Sequence, residues 1–147
     1  MPAVQTTYPG EMAPAFEGMI ASMEPGGIIS RVIESAGGIG FGKPAFQGAD
    51  ANGIAATGSV FRGVTVADHF PLANATGDLH PKGDTVSVME RGTVWVKASG
   101  PVTAGAPAYL TAAGAFTVTA TDNTALRAVF DSSGASGALV KLKLNLP

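Results

Sequence analysis

The sequence predicts an all-β fold of antiparallel strands, a sandwich or a barrel, on three observations. Short runs rich in β-branched and aromatic residues recur roughly every 8 to 12 residues, separated by Gly, Pro, Asn and Asp clusters. The last residues alternate, with Val140, Leu142, Leu144 and Leu146 against Lys141, Lys143 and Asn145, as in a strand with one dry face and one wet one. No strand–helix–strand alternation and no repeat of fixed period occurs.

Residues 1–27 carry Pro2, Pro9, Pro14 and Pro25, then Gly26-Gly27. They are too interrupted for a sheet interior and read as an N-terminal arm, extended or a short helix, ahead of a β-domain over 28–147. The helical alternative rests on Phe16, Met19, Ile20 and Met23 at i, i+3, i+4, i+7 between Pro14 and Pro25, with Gly18 arguing against it. Either form carries apolar side chains that can dock on a neighbour or fold back onto the chain's own core. From Ile28, "GIISRVIES" is strand-like and mixed on both faces. "GGIGFGKPAFQGADANG" supplies glycines for bulges and tight bends. In "GSVFRGVTVAD", Val60, Val64 and Val66 share a face with Arg62, so Gly63 is expected to mark a bulge that resets the register.

"DHFPLANATGDLHPKGD" reads as a loop. Val86 and Val88 then share one face, "ERG" (90–92) is a turn candidate, and Val94, Val96 and Ala98 share a face, so a hairpin is expected. A strand at "AYL", a turn at "TAAG", a strand over "AFTVTAT", a turn at "DNT", a strand at "ALRAVF" and a loop "DSSGASG" lead to the final strand.

The 147 residues suit one domain with a real core. A formal charge of -2 provides no long-range field to draw in phosphate backbones, so nucleic acid is not an expected partner. Charged residues are only 14 % of the chain, against about 25 % in average soluble domains, a composition suited to facing other protein. The absence of cysteine excludes disulfides, thiolate metal sites and a cysteine nucleophile. "MPAVQTTYPGEMAP" has neither a basic n-region nor a continuous apolar h-region and is not expected to be a signal peptide. No run approaches the roughly 18 apolar residues of a membrane span, so no membrane partner is expected.

The two histidines, His69 and His80, sit in the 68–84 loop with Asp68, Asp78 and Asp84 and could be drawn as a metal site or a catalytic group, although their spacing matches no compact ligand motif. Gly42-Lys43 is followed by Pro44, which breaks any phosphate-loop pattern. Glu34 and Glu90 are too scattered to nominate as a glycosidase pair. No catalytic residue, metal site or cofactor is therefore expected. Trp95 is the sharper lead. If Val94 and Val96 face the core, Trp95 shares the opposite face with Thr93 and Lys97, covered either by another element of the chain or by a partner subunit. The interface candidates are Tyr8, Phe16, Met19, Ile20, Met23 and Trp95.

The stretches "AFEGMIASMEPGGIISRVIES", "GFGKPAFQG", "FRGVTVADH" and "GDTVSVMERGTVWVKASGPVTAGAPAYL" resemble the capsid cement, or decoration, proteins of tailed bacteriophages. The resemblance covers most of residues 14–120 and rests on glycine and valine patterns. It implies a jelly-roll- or barrel-like protein, made in the host cytoplasm, that binds the outside of an icosahedral head. Its implied partners are major capsid protein subunits and itself, as a homodimer or homotrimer, and it brings no catalytic residues. From the residues alone, a β-rich ligand- or glycan-binding module and an enzyme using the histidines remain the rival readings.

Overall fold

The computed structural model describes residues 10, 15–68 and 79–147. Tyr8, His69 and Asp78 lie outside the described residues. Eleven strands and their turns make up the described chain, with no helix among them. They are β1 (Gly27–Ile33), β2 (Ile39–Gly40), β3 (Pro44–Gln47), β4 (Gly53–Ala55), β5 (Phe61–Thr65), β6 (Leu79–His80), β7 (Thr85–Lys97), β8 (Pro107–Leu110), β9 (Phe116–Thr117), β10 (Thr124–Phe130) and β11 (Leu139–Asn145).

The sheet order β1-β4-β3-β5-β7, with β7 pairing back onto β1, closes a ring. The barrel form of the expectation is the one adopted. From the same β7 the sheet continues through β11, β10, β8 and β9. Phe116 in β9 returns to the end of β7, bridging Ala98, while its carbonyl accepts the Ser99 N–H at 2.8 Å. Every ladder is antiparallel except β1–β4, where Val32 stands opposite Gly53 and Ile33 opposite Ile54. Ile39–Gly40 and Leu79–His80 form a separate two-stranded pair.

Two apolar clusters fill this frame. Ile33, Ile39, Ala45, Ile54, Val86 and Val88 form one inside the ring. The larger joins Phe46, Val64 and Met89 to Val94, Val96, Leu110, Phe116, Phe130, Val140, Leu142 and Leu144. Side chains alternate across a strand, so the neighbours Ala45/Phe46 and Val88/Met89 face opposite ways. One member of each pair enters each cluster, and β3 and β7 are the walls between the two cores.

The hairpin expected over 86–98 does not form, and "ERG" is not a turn. Residues 85–97 run on as β7, a single 13-residue strand. The irregularity read from Glu90, Arg91 and Gly92 is a β-bulge: Gly27 pairs with Arg91 and Ile28 with Met89, which leaves Glu90 as the extra residue. Gly92 takes a φ of 124° beside it. The extra residue exchanges the faces. Val86 and Val88 point into the ring, while Val94 and Val96, at the same parity, point into the larger core with Met89. The chain continues straight because partners wait on the same line: β1 and β5 along the first half, β11 from Arg91 to Lys97 along the second.

Gly63 does mark a bulge, since Ala45 pairs with Gly63 but Phe46 with Phe61. The glycine-rich stretch holds two short strands, β2 and β3, and opens β4 rather than making bends alone, because Ile39, Ala45 and Phe46 have cores to enter. The strand expected over "AFTVTAT" stops at Thr117, whose hydroxyl accepts the Thr119 N–H at 3.2 Å and curls the chain. The alternation of β11 holds, with Val140, Leu142 and Leu144 buried.

Phe130 is fully buried at the centre of the larger cluster. Phe130→Ala is expected to lower unfolding stability by about 3–5 kcal/mol, the range for deleting a buried aromatic ring. Equilibrium urea denaturation of both forms measures it.

Candidate functional site

The face singled out by Trp95 is built around the leading segment, residues 15–26. These residues lie along the second half of β7 without forming a helix. The Gly18 N–H donates to the Trp95 carbonyl at 2.8 Å, the Trp95 N–H to the Met19 carbonyl at 2.9 Å, and the Ala21 N–H to the Thr93 carbonyl at 2.8 Å. Ile20 bridges Val94. The amphipathic spacing of Phe16, Met19, Ile20 and Met23 therefore does not produce a helical face. Gly18 decides this locally, because its φ of 81° is incompatible with a right-handed helix. It also permits close crossing: a Cβ on Gly18 would lie 2.8 Å from both the Ala67 and Gly42 nitrogens, and the Ala67 N–H donates to the Gly18 carbonyl at 2.9 Å.

Charge holds the segment at both ends. Glu17 meets the Lys43 ammonium at 2.7 Å and that of Lys97 at 3.6 Å. Glu24 accepts hydrogen bonds from the Thr93 hydroxyl and, at 2.9 Å, from the Ser22 hydroxyl, and pairs with Lys143 at 3.2 Å. The Thr93 hydroxyl first, then Ser22 and Lys143, hold the Glu24 carboxyl below its ordinary value.

Apolar burial contributes little here. Of residues 15–26 only Ala15 and Gly18 are buried. Phe16, Met19 and Ile20 are 41 %, 37 % and 43 % exposed, and Met23 is fully exposed. The segment docks on its own chain through backbone and charge while leaving these side chains outward.

Trp95 sits on the wet face of β7, opposite Val94 and Val96, and is half-buried. Its cross-strand neighbour in β11 is Lys141, whose ammonium lies 5.4 Å from the indole centroid. The register that pairs Ile20 with Val94 puts Met19 on the side of Trp95 and Ile20 on the side of Val94, Phe16 and Met23 are exposed on the same segment, and Tyr8 lies outside the described residues.

Sequence reasoning missed Glu17, Glu24 and Lys141. The two glutamates bracket the apolar run visibly, but their lysines come from distant strands, and Lys141 gains meaning only from its register opposite Trp95.

The groups weighed for chemistry have structural occupations. His80 is buried, with Nε2 3.0 Å from the Val66 carbonyl and its ring 4.6 Å from that of Phe41. Among the described residues no group of three or more His, Cys, Asp or Glu is placed to hold a metal. Glu34 accepts the backbone N–H groups of Ala49 at 2.7 Å and Asp50 at 2.9 Å. Those bonds, that to Asp50 foremost, lower its carboxyl's pKa. Glu90 pairs with Arg62 at 3.2 Å. Lys43, the one cation of the glycine-rich stretch, is engaged by Glu17.

Glu24's pKa is depressed on folding, so its contribution is complete above the ordinary carboxylate range and is lost as pH falls through the folded-state value. Acidification through that value is expected to raise hydrogen exchange at Ala21 and Trp95, corrected for intrinsic rates, before core amides such as that of Leu142 respond. Gly18→Val is expected to expel residues 15–24 because its Cβ meets backbone on two sides. Limited proteolysis should then cut within 15–26 while the far-ultraviolet circular dichroism of the sheet is unchanged.

Comparison with known proteins agrees with this picture of a sheet protein. The family model described as structural cement protein (E217 gp24/Pam3 gp6) matches residues 4–145. No curated protein sequence matches the chain. Among solved structures, a chain from "The capsid of Myoviridae Phage XM1" superposes with a TM-score of 0.71 at 15 % identity, covering 99 % of this chain and 98 % of that one. A chain from the head fiber gp8.5 N base of bacteriophage phi29 aligns over 80 % of this chain and 94 % of its own at 14 % identity, with a TM-score of 0.49. The first superposition shows a shared fold, and the family match spans nearly the whole sequence: the chain belongs to the phage structural cement protein family.

Proposed function

We propose that this protein binds the outer surface of an icosahedral phage head and holds neighbouring major capsid protein subunits together, stabilising the shell as a homodimer or homotrimer. The observation that carries the reading is a segment bonded to β7 whose apolar residues Phe16, Met19, Ile20 and Met23 are all exposed, with Met19 in register beside the half-buried Trp95. Exposed apolar groups held along a firm strand suit contact with protein, and tryptophan is enriched among the residues that dominate such contacts. The family is one of structural cement proteins, and a symmetric shell repeats each contact many times, so modest single affinities add through avidity.

Deleting residues 1–24 would test the segment as an anchor, but it also removes Glu17, Glu24 and the pairing with β7. A triple variant, Met19→Ser, Met23→Ser and Trp95→Ala, keeps that backbone. Mixed with assembled heads lacking the protein and sedimented, it should bind with an apparent affinity at least about tenfold below wild type, a loss of about 1.4 kcal/mol or more in the overall binding free energy. Its unfolding stability should fall by less than the roughly 3–5 kcal/mol of a fully buried aromatic, since none of the three side chains is fully buried. Retention equal to wild type would remove this face as the attachment surface.

A further inference from the structure

Between the two ion-paired ends of the leading segment lies a cation with no carboxylate partner among the described residues. On the wet face formed by β7 and β11, Lys97 pairs with Glu17 and Lys143 with Glu24. Lys141 stands between them in register, opposite Trp95, and forms no ion pair among the described residues. Its ammonium instead lies over the indole at 5.4 Å. The segment thus supplies counter-charges to both neighbours and passes Trp95 with the apolar residues Met19, Ile20 and Ala21.

We propose that Trp95 and Lys141 form a recognition spot for an acidic side chain of the shell protein flanked by an apolar one. The carboxylate takes the Lys141 ammonium, while the indole and Met19 take the apolar neighbour. Charge complementarity argues for this occupant: a partner carboxylate completes a row in which each neighbouring lysine already has one. A partner lysine or arginine would meet three ammonium groups, Lys97, Lys141 and Lys143, with two carboxylates already committed. The cation–π contact fixes the ammonium over the ring in advance, so little side-chain freedom remains to be lost on binding. A carboxylate there forms a charge-assisted contact partly shielded by the ring and the shell surface, the setting in which such pairs determine affinity and partner choice.

The inference rests on the shell-binding reading, and the experiment separates the two. Binding of the full-length protein to assembled heads is measured for wild type, Lys141→Glu, Lys141→Gln, Lys141→Arg and Lys82→Glu. Lys82 is exposed in the turn before β7, on the order of 30 Å along that strand from Trp95 at about 3.3 Å per residue, and controls for net charge. The expected order is near-wild-type binding for Lys141→Arg, which keeps charge and ring contact, about tenfold weaker binding for Lys141→Gln, and a larger loss for Lys141→Glu. Lys82→Glu should change binding less than twofold, and the wild-type dependence on salt should flatten in Lys141→Gln. Equal effects of Lys141→Glu and Lys82→Glu, or wild-type binding by Lys141→Glu, overturn the recognition spot and leave shell binding intact. Failure of the wild-type protein to bind heads overturns both.

Discussion

Everything in this molecule hangs on β7 being unbroken. A 13-residue strand is long for so short a chain, and it remains one strand because partners occupy both halves. The bulge at Glu90 lets it serve two cores. Without the extra residue, Val94 and Val96 would keep the facing of Val86 and Val88 and turn away from Phe130, Val140 and Leu142. One inserted residue therefore converts a single alternating pattern into walls for two apolar clusters.

That arrangement also explains how the chain combines a low charge content with an uncluttered exterior. Burial on both faces of β3 and β7 uses much of the valine, isoleucine and phenylalanine inside. The few lysines and glutamates on the wet side of β7 and β11 are correspondingly specific in placement. They fasten a segment whose own side chains contribute almost no burial. Such surface pairs are individually weak, so the segment depends on their acting together with four backbone hydrogen bonds to β7 and Ala67.

Much of the fold was legible in the sequence wherever one face is dry. The alternation of β11 is plain in Val140, Leu142 and Leu144 against the lysines, and Val86, Val88, Val94 and Val96 are all buried as their pattern indicates. The bulge at Gly63 was also readable, because its register conflict lies within one short run. The error at Glu90, Arg91 and Gly92 has a physical source: a turn and a bulge draw on the same residues, and only distant partners decide between them. The sequence left residues 14–24 open between a helix and an extended arm, because the spacing of Phe16, Met19, Ile20 and Met23 is also what an irregular extended segment can show when its apolar residues face outward. Trp95's wet-face position followed from parity alone, whereas its neighbours Lys141, Glu17 and Glu24 became visible only through non-local register.

The continuity of β7 has a mechanical meaning. The exposed row and the ring interior lie on the same strand, and from Arg91 to Lys97 that strand is bonded along its length to β11. No linker or turn separates the outward-facing part from the packed part. Trp95 is thereby joined to both cores through the hydrogen-bonded ladders of one strand, with no hinge residue between them in β7.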